Sequence, residues 1–133
     1  MSYVVDTHYL LWALIEPTRL SRTARRVLTD AEAIKYVSKI SFWEIALKYS
    51  LGKLTLEGTT PEGILRAARR AGFKILDIAE DDLVTSHLLP FTENHRDPFD
   101  RLLVWQCIRN DFLLLTADSR LRGYEQHGLR IAM

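Results

Sequence analysis

Four carboxylates stand where the local sequence gives an acid something to do: Asp6, Glu44, Asp100 and Asp118. Asp100 belongs to the stretch His95-Arg96-Asp97-Pro98-Phe99-Asp100-Arg101. Pro98 suits the first turn of a helix, because it has no N–H to lose and its φ is preset, which puts Asp97 at the N-cap and Asp100 three residues on. The run from Leu102 to Ile108 is apolar on nearly every side and reads as a buried helix that holds Asp100 rigidly. A capping box, with both acids serving the open N–H groups and the helix dipole, is the other reading of this pair. Asp6 closes the run Tyr3-Val4-Val5, and Asp118 lies two residues beyond Phe112 to Thr116; each could equally cap the helix that follows it. Glu44 is the only charged residue from Phe42 to Leu47. It could simply pair with Lys48 one turn on, which is worth about 0.2–0.5 kcal/mol. A carboxylate on so apolar a helix nevertheless needs a cation or hydrogen-bond donors close by.

A divalent metal would meet that need at all four positions. Ligation by Asp and Glu oxygens, with no His or Cys ligand spacing in the chain, favours Mg²⁺ or Mn²⁺ over Zn²⁺. Such ions suit phosphoryl chemistry, since they activate a bound water and neutralise charge on a phosphate. His8, His87, His95 and His127 are scattered and read as surface or supporting residues, with His95 the one expected near the site.

The elements that must position these acids follow from the spacing of apolar residues and breakers. Tyr3 to Val5 is a strand that feeds a helix over Tyr9 to Ile15, and Glu16-Pro17-Thr18 ends that helix. Ser21 caps a helix from Arg22 to Ala31, Ala33 to Val37 is the second strand, and Ser38 or Ser41 opens a helix through Phe42 to Leu51. Ile64 to Ala71 is helical, Phe73 to Leu76 is a strand, and Glu80 to Leu89 is a helix stopped by Pro90. The helix after Pro98 is followed by the strand Phe112 to Thr116, a short helix from Ser119 to Tyr124 and a last strand from Leu129 to Ile131. Strands alternate with helices and no hairpin signal joins consecutive strands, which predicts a three-layer α/β fold: a parallel sheet of about five strands with helices on both faces. In such sheets the site lies outside the carboxyl ends of the strands, where Asp6 and Asp118 would point.

Composition bounds the rest. The 133 residues, 47% apolar and 26% charged, make one domain over residues 1–133. A net charge of +1 gives no general attraction to nucleic acid, so any such contact rests on local clusters. Arg22, Arg25 and Arg26, and again Arg66, Arg69 and Arg70, read as solvated helix faces rather than such contacts. Cys107 alone cannot form an internal disulfide and reads as a buried thiol in a reducing cytoplasm. The apolar run Tyr9 to Ile15 is too short to span a membrane, so a soluble, intracellular protein is expected.

The segments "VVDTHYLLWAL", "SFWEIALKYSLGKL", "HRDPFDRLLVWQ" and "LLTADSRLRGY" resemble those of PIN-domain ribonucleases, and specifically of VapC toxins of type II toxin–antitoxin systems. The resemblance runs from Tyr3 to about Ile131 with the four motifs in order. It implies that the family's four acids fall on Asp6, Glu44, Asp100 and Asp118. It also implies metal-dependent endonucleolytic cleavage of RNA, a VapB-type antitoxin as partner, and a homodimer for which Leu10, Leu11, Trp12 and Leu20 are candidate contacts. On this reading Asp6, Asp100 and Asp118 hold Mg²⁺ or Mn²⁺, and Glu44 positions a ligand water or a second ion. Asp97 belongs to the "DPFD" variant and is a secondary candidate. Arg120 stands where the family commonly has another acid, which removes support for a second metal relying on it. Basic residues around the crevice would grip substrate RNA, and the sequence does not single out which of Lys48, Arg96, Arg101, Arg120 and Arg122 do so.

Readings from other classes fare worse. A receiver-like Mg²⁺-binding signalling domain would explain Asp77 after the third strand, but the acidic pair expected before Asp6 and the lysine after the last full strand are missing. A phosphatase of the haloacid-dehalogenase kind would want an acid where His8 stands. A non-catalytic binding module would be expected to have lost an acid. A PIN nuclease that is not a toxin remains the nearest alternative.

Overall fold

The computed structural model describes residues 1–93 and 95–133. The chain alternates as β1 (Ser2–Val5), α1 (Thr7–Ile15), α2 (Arg22–Thr29), β2 (Ile34–Ser38), α3 (Lys39–Ser50), α4 (Pro61–Arg70), β3 (Lys74–Leu76), α5 (Glu80–Thr85), α6 (Pro98–Asn110), β4 (Leu113–Leu115) and β5 (Arg130–Ala132), with 3₁₀ turns at Pro17–Arg19, Ser86–Leu88 and Ser119–His127. All five strands are parallel in the order β3-β2-β1-β4-β5.

Successive strand residues face opposite sides of a sheet, so a sheet covered on both faces needs consecutive apolar residues. Val5 and Leu115 therefore pack with Tyr9, Leu10, Val27, Ile45 and Ile64 in one layer, while their neighbours Val4 and Leu114 pack with Leu103, Val104, Leu121 and Tyr124 in the other. This is the three-layer α/β architecture read from the sequence. Caps set where several helices start: Asp6 accepts the Tyr9 N–H, Ser21 that of Ala24, Ser38 that of Ile40 and Thr60 that of Gly63.

Three expectations are corrected. The helix expected from Glu80 to Leu89 is α-helical only to Thr85 and then tightens into the 3₁₀ turn, leaving the Leu89 and Pro90 carbonyls turned to accept from Arg101. The segment after Asp118 is 3₁₀ throughout and runs on to His127. Leu10 and Leu11, expected as exposed contacts of a dimer, are buried in the core, because the α1 face that carries them lies against the sheet and its neighbouring helices. The two arginine clusters of α2 and α4 are exposed, as solvated faces should be. Among the described residues no helix is long and apolar enough to cross a membrane.

Candidate active site

The chain leaves β1 toward β2 and leaves β4 toward β5, so the connections diverge at the β1/β4 junction and open a crevice at the carboxyl ends of these strands. Val5 pairs with Leu115, so the next residues, Asp6 and Thr116, emerge side by side. The Asp6 N–H bonds the Leu115 carbonyl at 3.0 Å. One Asp6 oxygen accepts the Tyr9 N–H at 3.0 Å and the other accepts the Thr116 hydroxyl. Thr116 Oγ1 in turn accepts the Asp118 N–H at 3.0 Å, so a single buried threonine ties the two predicted acids together. Asp6, Asp118, His8, Arg19 and Arg120 line one cleft.

Asp97 and Asp100 divide the work that a capping box would share. Asp97 Oδ1 accepts the Asp100 N–H at 3.0 Å and starts α6. The Asp100 carboxylate instead faces His95, with Oδ2 at 3.2 Å from Nε2. His95 is 2% exposed, and its Nδ1 lies 2.8 Å from the Tyr124 hydroxyl. One potential ligand atom from each of His95, Asp100 and Asp118 lies within 4.8 Å of the others, so Asp100 and Asp118 share a site although they come from different elements.

Glu44 projects from α3 and is 5% exposed. Its Oε1 accepts the Thr7 hydroxyl at 2.7 Å, and its Oε2 meets Lys48 Nζ at 2.5 Å. The pair with Lys48 expected from spacing is thus present, and it supplies the cation that the buried acid needs. Burial opposes the charge on Lys48, but the hydrogen bond and charge of Glu44 outweigh it and hold the ammonium pKa above its ordinary value, with help from Asp97 and Asp100.

The electrostatics mark this cluster as short of positive charge. Burial pushes Asp100 up to about 6, Asp97 and Glu44 adding to the rise while His95 works against it. Burial also raises Asp6 above the usual carboxylate range, despite the hydrogen bonds from Thr116 and Tyr9. Asp118 moves the other way, because Arg120 donates to both of its oxygens at 3.0 and 2.8 Å. A hard divalent cation fits this donor set: carboxylate oxygens of Asp100 and Asp118 come together, and buried Asp6 is joined to Asp118 through Thr116, with the charges of Asp6 and Asp100 both opposed by their surroundings. Asp100 and Asp118 present ligand atoms that could hold it, and Asp6 lines the same cleft as Asp118.

Several members of this site escaped the sequence reading. Thr116, Thr7, Tyr124 and Arg19 carried no signal beyond position, Thr116 at a strand end and Arg19 beside a proline break. His95 lies by the site as expected, buried behind Asp100, and His8, which was not expected there, lines the same cleft as Asp6. Arg101, one of the five basic residues left open for substrate contact, is turned inward to Leu89, Pro90 and Tyr124. Asp77 lies at the end of the edge strand β3, exposed and paired with Lys39 at 3.2 Å, away from the β1/β4 crevice.

Fold and site together define a three-layer parallel α/β domain that gathers carboxylates at the switch point of its sheet. The chain belongs to the PIN domain family, whose profile matches residues 3–126. It is 27% identical over 121 residues to Ribonuclease VapC22 of Mycobacterium tuberculosis (strain ATCC 25618 / H37Rv), a match spanning 91% of this chain and 90% of that one. Its fold is similar to that of VapBC-1 from nontypeable Haemophilus influenzae, with a TM-score of 0.68 at 16% identity over 99% of this chain and 97% of the other. It is similar too to VapBC2 from Rickettsia felis, solved bound to a DNA fragment from their promoter, with a TM-score of 0.65 at 14% identity over 99% and 98% of the two chains.

Proposed function

We propose that this chain is a divalent-metal-dependent endoribonuclease acting as the toxin of a toxin–antitoxin pair. The observation that carries the reading is the meeting of Asp100 and Asp118 at one site, with buried Asp6 joined to Asp118 through Thr116 at the β1/β4 switch point. Mg²⁺ or Mn²⁺ held by Asp6, Asp100 and Asp118 would supply an activated water and neutralise charge on the scissile phosphate. Thr116 orients Asp6, and Asp97 sets the start of the helix that aims Asp100. Glu44, with one oxygen fixed by Thr7 and the other by Lys48, adds negative charge beside Asp6 and Asp100 and orders that side of the site. Arg19 and Arg120 flank the cleft where an RNA phosphate would lie.

A receiver-like domain is disfavoured by topology, since that class orders its strands 2-1-3-4-5 whereas this sheet runs 3-2-1-4-5. The names of the similar proteins, a VapC ribonuclease and VapBC assemblies, support a VapB-type antitoxin as partner. A second copy of the chain is the other proposed partner, and the cytoplasm the proposed location. Expression of the chain alone should slow growth, Asp6→Asn should not, and co-expression of the antitoxin encoded beside it should restore growth. Normal growth with the soluble wild-type protein confirmed would leave a PIN nuclease with a different task.

A further inference from the structure

The motifs that supply Asp100 and Asp118 contain more than their acids: His95 and Arg101 flank the first, and Gly123-Tyr124 ends the second. The fold brings these residues together behind the carboxylates. Gly123 permits it, because a Cβ there would lie 3.2 Å from Thr92 Cγ2, so the loop bearing His95 could not seat as closely against the 3₁₀ segment that carries Tyr124. Tyr124 is fully buried, and its hydroxyl meets two groups, Arg101 Nη1 at 3.2 Å and His95 Nδ1 at 2.8 Å. Arg101 can only donate. It is itself fixed by the Leu89 carbonyl at 2.7 Å and the Pro90 carbonyl at 3.2 Å, and its guanidinium lies 3.9 Å from the centre of the Phe91 ring. The tyrosine hydroxyl therefore accepts from Arg101, and among the described residues the remaining partner for its proton is His95 Nδ1. A buried hydroxyl proton left without an acceptor costs about 1–3 kcal/mol, which decides the direction.

We infer that Arg101, Tyr124 and His95 form a one-way chain of donors that ends at Asp100. Nδ1 accepts from Tyr124, Nε2 carries the imidazole proton, and that N–H donates to Asp100 Oδ2, so the other carboxylate oxygen is not used by the chain. His95 is thus a positioning residue for a metal-holding carboxylate and not itself a ligand, although its Nε2 lies close enough to Asp100 and Asp118 to suggest one. Such supporting hydrogen bonds are typically worth about 10–100-fold in metal affinity. The assignment of Asp100 as a ligand rests on the proposed function, whereas the direction of the donor chain does not.

The test is ¹⁵N NMR of the full chain labelled at histidine, free of metal and near neutral pH, together with Mn²⁺ titration by calorimetry. Wild type should show His95 as the Nε2–H tautomer, and Tyr124→Phe, which keeps the ring, should lose that preference. His95→Ala should weaken Mn²⁺ binding about 10–100-fold. His95→Gln, whose amide can present an N–H where Nε2 stood, should recover most of the loss. Melting of each variant identifies any that fail to fold, and the wild-type tautomer decides the question without them. An Nδ1–H tautomer in wild type, or glutamine no better than alanine, would overturn the inference. An Nε2–H tautomer in a protein that never cleaves RNA would uphold the donor chain while removing the nuclease reading.

Discussion

Asp97 and Asp100 sit three residues apart and do different work. Asp97 acts through an oxygen that accepts a backbone N–H, which asparagine also offers, so Asp97→Asn should keep the fold and much of the activity, while Asp97→Ala should cost about 0.5–2 kcal/mol. On the proposed function Asp100 supplies negative charge to a metal, so Asp100→Asn should fold, melt no lower than wild type without metal, and lose nearly all cleavage. Its pKa of about 6 in the folded state lies above the ordinary 3.8, so the metal-free native state binds this proton more tightly than the unfolded chain does. The stability from that proton is full below about pH 4 and is lost as pH rises through about 6. Without metal, wild type should therefore lose stability relative to Asp100→Asn between these limits, and Mn²⁺ should restore it at neutral pH. Cleavage should fall as pH drops below about 6, because the ligand must be ionised. A wild-type melting temperature that tracks Asp100→Asn across the range would contradict this. The four acids were legible because Asp6 and Asp118 follow strand-like runs, Asp100 follows a helix-starting proline, Glu44 interrupts an apolar run, and all four match the motifs of the family. Thr116 and Tyr124 were not, since a threonine ending a strand and a tyrosine in a short helix fit their patterns without remark.

At the level of elements, the alternation of strand and helix was readable because period-2 and period-3.6 patterns are local properties. Strand order was not, since nothing in the residues of β1 states that β4 rather than β3 lies beside it. The break in the expected Glu80–Leu89 helix was hidden for a similar reason: the partner that takes the Leu89 and Pro90 carbonyls is Arg101, more than ten residues on. The same segment holds a buried acid unrelated to the site. Asp82, 4% exposed, accepts from Arg109 at 3.2 Å and from Asn110 at 2.9 Å, and so ties α5 to the far end of α6. Asp82→Ala should destabilise the protein by about 1–3 kcal/mol in urea unfolding. Metal-dependent cleavage by the folded fraction should survive, and loss of cleavage with the fold intact would place Asp82 in the functional machinery.

Over the whole molecule, a net charge of +1 leaves any attraction for an RNA substrate, on the proposed function, to local groups, and Arg19 and Arg120 line the cleft with Asp6 and Asp118. The arginine-rich faces of α2 and α4 stay in solvent. With Leu10 and Leu11 committed to the core, the proposed homodimer is left with the partly exposed Trp12 and Leu20 and with other apolar surface: Trp43 is 62% exposed, and Leu51, Val84, Leu88 and Phe91 are exposed as well. Light scattering of the isolated chain at working concentration should give a dimeric mass, and a monomeric mass would contradict the dimer.

The central claim is that carboxylates at the β1/β4 switch point hold a divalent ion for RNA cleavage, and purified chain free of any partner tests it most directly. Total RNA would be incubated with wild type and with Asp6→Asn, in Mg²⁺, in Mn²⁺ and in excess EDTA. Asparagine can still accept the Tyr9 N–H, so the start of α1 should survive the substitution while the ligand charge is lost. Wild type should cleave discretely with metal and not in EDTA, and Asp6→Asn should not cleave in any condition. Undiminished cleavage in EDTA, or by Asp6→Asn, would contradict the claim.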